Sequence, residues 1–183
     1  MSKSKKASVF FSIRALTIAA MLTAMSVVIG MFCKTFLNFS GGLFRITFEN
    51  LPIIISGIIF GPLAGGIVGA GSDLISYLLS PQIYPPNLTV TLGAFTVGAV
   101  SGLVSRMLGT KTSKAKITAT VASAHTIGSM LIKTVGLYSY YGILVLWRIP
   151  LYVIIASIEI IIICLLYKNT AIRKLFEGAR RPK

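Results

Sequence analysis

The sequence predicts an all-α integral membrane protein with six transmembrane helices and both termini in the cytoplasm. Three observations predict it. Of 183 residues, 55% are hydrophobic and only 12% are charged, against about 25% charged in an ordinary soluble domain. The apolar residues lie in long blocks, and a chain in lipid satisfies its backbone only as helices or a closed barrel. The 18 Lys and Arg face only 4 acids, a net charge of +14, and most of the basic residues fall in three segments. So basic a chain raises nucleic-acid binding, but a nucleic-acid module does not carry six apolar blocks, and no nucleic-acid partner is expected.

The expected spans are 13–32, 44–60, 63–79, 89–108, 117–137 and 149–167, each judged against the 17–25 apolar residues that cross a bilayer. Together they make 1–183 a single membrane domain. The first block is too long for the apolar core of a signal peptide, and no small-residue cleavage site follows it. It carries Ala15, Ala19, Ala20 and Ala24, a smooth strip suited either to packing or to docking a partner. The second is short: after Asn50, an N-cap candidate, and Pro52 in the first turn, the apolar run to Phe60 covers about 15 Å. Either this helix begins near Phe44, or non-helical chain precedes it at membrane depth, which is tolerated only when buried in protein or lining a cavity. Gly61-Pro62 leads directly into the third block. Gly57, Gly61, Gly65 and Gly69, with Gly98 and Gly102 in the fourth, recur every four residues, a spacing that lets helices approach closely, within the bundle or between molecules. The fifth block contains His125 and Lys133. The sixth opens at Trp147-Arg148 and contains Glu159.

Fourteen of the 18 basic residues fall at the N-terminus, between spans four and five, or in the C-terminal tail. The positive-inside rule puts these segments in the cytoplasm, and an even number of spans is required. Cys33 and Cys164 then lie about 30 Å apart across the bilayer, beyond the roughly 7 Å reach of a disulfide.

An ionisable side chain within the membrane is a functional candidate by default. The outer half collects Arg45, Glu49, Asp73, Lys133 and Arg148, which either pair off among themselves or form a pocket with a cationic rim and acidic groups deeper. Tyr84, Asn87 and Trp147 lie at the same level, where aromatic residues also belong to any membrane belt. Glu159 and His125 read as interhelical partners. Catalysis finds no support: no phosphate-binding loop, His-Glu-x-x-His or nucleophile elbow is present, and no metal or cofactor is expected. Nothing in the chain supplies energy for uphill transport.

The stretch Phe48-Glu49-Asn50-Leu51-Pro52-Ile53-Ile54-Ile55-Ser56-Gly57-Ile58-Ile59-Phe60-Gly61-Pro62, continuing through Gly65, Gly69 and Ser72-Asp73-Leu74, resembles the substrate-binding (S) components of energy-coupling factor (ECF) vitamin transporters. So do the size and topology. Arg148-Ile149-Pro150 is similar to the folate-specific branch, and Ala20-Met21-Leu22-Thr23-Ala24 is similar to the family's docking motif. The resemblance implies a multi-pass cell-membrane protein that captures folate from outside. It implies association with a transmembrane coupling subunit and two cytoplasmic ATPases, and delivery by toppling in the bilayer. Ala20 and Ala24 become docking positions.

For folate, a carboxylate suits the amino-pyrimidine edge of the pterin, with Asp73 the first candidate and Glu49 the second. Arg148, Lys133 or Arg45 suits the glutamate tail, and Trp147 and Tyr84 suit ring stacking. Residues 39–44 and 84–88 are the expected gate. Sister branches place pantothenate, riboflavin or a nucleoside precursor on the same scaffold, and a membrane scaffold without a small-molecule ligand is the alternative of another class.

Overall fold

The computed structural model describes residues 13–39, 44–79, 87–109, 113–170 and 172–173. These are mostly helical, with short irregular connections and one antiparallel pair of two-residue strands, β1 (Asn38–Phe39) and β2 (Phe44–Arg45). Helix α1 (Ile13–Phe36) runs four residues beyond its expected end. Helix α2 begins at Asn50 and ends at Phe60, so of the two readings of this segment a helix from 44 is corrected and non-helical chain before it is found: β2 and an irregular segment occupy 44–49. Asn50 is the first helical residue rather than the N-cap. Its side chain is drawn to other helices, and Glu49 precedes it without a side-chain cap.

Helices α3 (Pro62–Leu79) and α4 (Leu88–Met107) follow. The next helix starts as α5 (Lys114–Ala124), widens into a π-helical segment (His125–Lys133), and resumes as α6 (Thr134–Tyr141). Gly142, at φ 58°, ends it. A 3-10 turn (Gly142–Trp147) then leads into α7 (Arg148–Lys168). Glu159 on α7 lies 2.8 Å from His125, so the chain reverses across this turn. Among the described residues four helical stretches are long and apolar enough to cross a membrane: α1, α3, α4, and the 55-residue run from Lys114 to Lys168.

Helix α2 spans about 16 Å at 1.5 Å per residue and is buried on every side but its last residue. Short and wrapped by its neighbours, it carries Ile53, Ile54, Ile55, Ile58 and Ile59 into the apolar core. Helices α2, α3 and α4 meet through the glycine series. A Cβ on Gly57, Gly65 or Gly69 would run into the backbone or side chains of α4, and one on Gly98 or Gly102 would strike the backbone of the α3 region. These glycines therefore serve packing within the bundle. Gly61, at φ 98°, turns the α2–α3 corner, where Arg106 Nη2 donates to Phe60 O at 3.1 Å.

Replacing Gly98 by Val is expected to destabilise the protein by about 3 kcal/mol or more, since overpacking costs about 1–3 kcal/mol and here the obstacle is backbone. Thermal melting in detergent checks this, and an unchanged melting temperature would contradict the packing described.

Candidate functional site

A polar cavity lies where α1, α2, α3 and α4 meet the π-helical segment. Glu49, Asp73 and Lys133 line it together with Ser26, Ser72 and Ser76, over an apolar floor of Ile53 and Ala94. Its empty space is about 190 Å³, part of it open to solvent. Pockets for whole drug-sized ligands run to about 300–1,000 Å³, whereas the enclosed space here is about 10 Å³, room for about one water, so a ligand enters only if the cavity opens.

Each charged group arrives by a distinct local device. Glu49 sits in the connection between β2 and α2. Ser26 Oγ on α1 donates to its backbone carbonyl at 2.7 Å, and Gly30 leaves room for its carboxylate, since a Cβ there would come within 2.9 Å of Oε2. Arg45, four residues earlier, donates to Glu49 Oε1 at 3.2 Å. Lys133 Nζ donates to the same oxygen at 3.4 Å and to Asn50 Oδ1 at 3.1 Å. Asn50 Nδ2 in turn donates to Ser129 Oγ at 3.4 Å. Gly93 on α4 leaves space for the Lys133 stem. Asp73, half-buried on α3, accepts from Thr91 Oγ1 at 2.7 Å.

Burial pushes the Glu49 carboxyl up, but Arg45, Lys133 and Lys34 together outweigh it and hold the group down at about 2. A depressed carboxylate contributes stability above its unfolded value, about 4.3, and loses it as pH falls through the folded value. The melting temperature is therefore expected to drop between pH 4.5 and pH 2, and Glu49→Gln is expected to flatten that part of the profile. An equal slope in both proteins would remove Glu49 as the cause.

The other sequence candidates fall elsewhere. Asn87 caps α4, accepting from Thr89 N at 3.0 Å and donating to Gly136 O at 2.6 Å, so both ends of its amide are engaged within the protein. Trp147 is 65% exposed on the 3-10 turn and does not line the cavity. Arg148 does not line it either. It is buried at the start of α7 with its guanidinium 5.8 Å from the Tyr152 ring and, among the described residues, Nε has no hydrogen-bond partner. Tyr84 and most of the expected gate, 40–43 and 84–86, lie outside the described residues. On α1, Ala15 and Ala19 are buried, whereas Ala20 and Ala24 are exposed. Sequence reasoning put Asn50 beside Glu49 near a protein-lined space but missed Ser129 and Thr91 as polar partners there.

Residues 14–176 match the family described as ECF transporter, substrate-specific component. The chain is 46% identical over 66 residues to the folate transporter FolT of Clostridium novyi (strain NT), a stretch covering 36% of this chain and 37% of that protein. It is 29% identical over 94 residues to the uncharacterized protein MG098 homolog of Mycoplasma pneumoniae (strain ATCC 29342 / M129 / Subtype 1), covering 51% of this chain and 19% of the relative. The matched stretches thus span well under two thirds of either relative. A crystal structure of FolT bound with folic acid shares the fold, with a TM-score of 0.66 and 23% identity over 93% of this chain and 96% of the other.

Proposed function

The chain belongs to the substrate-specific components of ECF transporters, and from that membership we propose that it binds folate at the outer face of the cell membrane for uptake. A member of this family is a membrane-embedded transport component, not an enzyme. The observation that carries the ligand reading is the convergence of Asp73, Glu49 and Lys133 on one cavity in a chain whose exposed helix faces are apolar. Charges at such a position are expensive and are retained for a task. The similarity to the Clostridium novyi folate transporter and to the folic acid complex points the same way.

Asp73 is the best pterin acceptor. Among the described residues its only hydrogen-bond partner is Thr91, whereas Glu49 is already engaged by Arg45 and Lys133. Lys133, with Arg45 beside Glu49, is the cationic group for the ligand's carboxylates, while Arg148 does not line the cavity. The cavity gives no support to ring stacking by Trp147, which is exposed on the 3-10 turn, and Asn87 is committed to capping α4 and to Gly136.

In this reading the bundle makes six crossings with both termini cytoplasmic. The short α2 counts as one, and the two legs either side of the 3-10 turn count as two. A coupling subunit and two ATPases supply the energy, and the exposed Ala20 and Ala24 meet the coupling subunit.

Calorimetric titration of the purified protein in detergent with folic acid tests the ligand, with riboflavin and pantothenate as controls. Calorimetry is preferred to the fluorescence of Trp147, which does not line the cavity. Saturable heat with folic acid alone is expected. Heat with a control vitamin alone would reassign the ligand, and heat with none would favour a scaffold without a small-molecule ligand.

A further inference from the structure

The cavity leaves two buried ionisable side chains without a role. His125 Nε2 lies 2.8 Å from Glu159 Oε2, and neither side chain has any exposure. Among the described residues His125 Nδ1 and Glu159 Oε1 have no hydrogen-bond partner, so each residue relies on the other. Losing one member of such a pair leaves an uncompensated polar group in the interior.

His125 opens the π-helical segment and Lys133 closes it. Segments with i→i+5 bonding are rare, occur mostly as single turns, and gather at functional sites. This one runs for nine residues and needs something outside itself to hold it. A π turn takes more residues than the α-helix's roughly 3.6. Over the eight residue steps from His125 to Lys133 the two windings therefore leave the lysine facing different directions. The wide winding is pinned at both ends: His125 by Glu159 on α7, and Ser129 and Lys133 by Asn50 at the start of α2. Thr134 Oγ1 donates to Ser129 O, five residues back, at 3.3 Å.

We infer that the His125–Glu159 contact anchors the wide winding and so positions Lys133 at the cavity, which makes a pair outside the cavity a determinant of ligand affinity. His125 and Glu159 are then positioning residues acting through Lys133. The inference rests on the proposed role of Lys133 as a ligand group.

The test compares Glu159→Gln, the amide pair His125→Gln/Glu159→Gln, and Lys133→Met alone and combined with Glu159→Gln. Affinity for folic acid is read by calorimetry and melting temperature in the absence of ligand. Glu159→Gln is expected to weaken folic acid binding about tenfold, within the usual range of coupling between sites, and to have no further effect once Lys133 is Met. The amide pair, which keeps a hydrogen bond between the helices, is expected to restore most of the affinity. The melting temperatures form a second cycle that needs no ligand. The Glu159 and Lys133 changes are expected to sum to less than their separate effects, as contacts that act as a unit do. Additive effects in that cycle, or a loss of affinity that persists in the Lys133→Met protein, would overturn the anchor. A wild-type protein indifferent to folic acid would overturn the ligand reading alone, because the melting cycle still reads the anchor. If Glu159→Gln does not fold, Glu159→Asp, whose shorter side chain withdraws the carboxylate from His125, takes its place in both cycles.

Discussion

Asp73→Asn is expected to weaken folate binding about 100-fold while leaving the ligand-free protein folded. A pterin presents two parallel donors along its amino-pyrimidine edge, and a carboxylate accepts both. Hydrogen bonds to charged groups contribute about 1.5–3 kcal/mol each. Asn keeps one accepting oxygen but turns an NH₂ toward a donor, so about 2.7 kcal/mol, or 100-fold, is lost. The fold tolerates the change because Asp73 makes no ion pair among the described residues and is only half-buried. The Asn oxygen still accepts from Thr91, which is 2.7 Å from the carboxylate. Thr91→Val removes only the group that orients Asp73, and its effect is expected to be several-fold rather than 100-fold. The titration described above reads both variants. An Asp73→Asn protein with unchanged affinity and an unchanged melting temperature would take Asp73 out of the site.

Much of this arrangement was legible because lipid penalises charge. Asp73, Glu49 and Lys133 stood out against apolar surroundings for that reason alone, and the structure brings all three to one cavity. The pairing of Lys133 was left open by the sequence and is resolved by distance: it meets Glu49 and Asn50. The glycine spacing marked close helix contact, but only the facing backbones show that the contact is internal.

What stayed hidden is phase. In a soluble helix the apolar stripe says which way each residue faces, but a helix in lipid is apolar on its exposed faces as well. On α1, Met21, Val28 and Phe32 are exposed while Leu22 and Val27 are buried, and nothing in their chemistry separates them. For the same reason the π winding between His125 and Lys133 left no mark in the sequence. Asn50 read as a helix cap because caps favour Asn; its commitment to Ser129 and Lys133, about 80 residues away in the chain, is a tertiary fact. Arg148 and Trp147 were grouped with the cavity by their level in the membrane, yet level says nothing of azimuth around the bundle, and neither residue lines it.

Replacing both Ala20 and Ala24 by Trp is expected to abolish copurification with the coupling subunit while folate affinity stays within about threefold of wild type. The four alanines of α1 split by exposure: Ala15 and Ala19 face the bundle, and Ala20 and Ala24 face outward. Ala20 and Ala24 are one turn apart, a spacing that places neighbouring side chains on one face. Without a hydrophobic drive between helices in lipid, association depends on close backbone approach, which small residues permit. Two indoles on that strip would hold a partner helix several ångströms away. The same substitutions at Ala15 and Ala19 would be expected to unfold the bundle instead, since those positions are 7% and 5% exposed. The contrast makes the outcome interpretable. A folded Ala20→Trp/Ala24→Trp protein that binds folate but no coupling subunit locates docking on this strip. A complex that survives both indoles moves docking to another face, and it does so without touching the ligand assignment, because neither alanine lines the cavity.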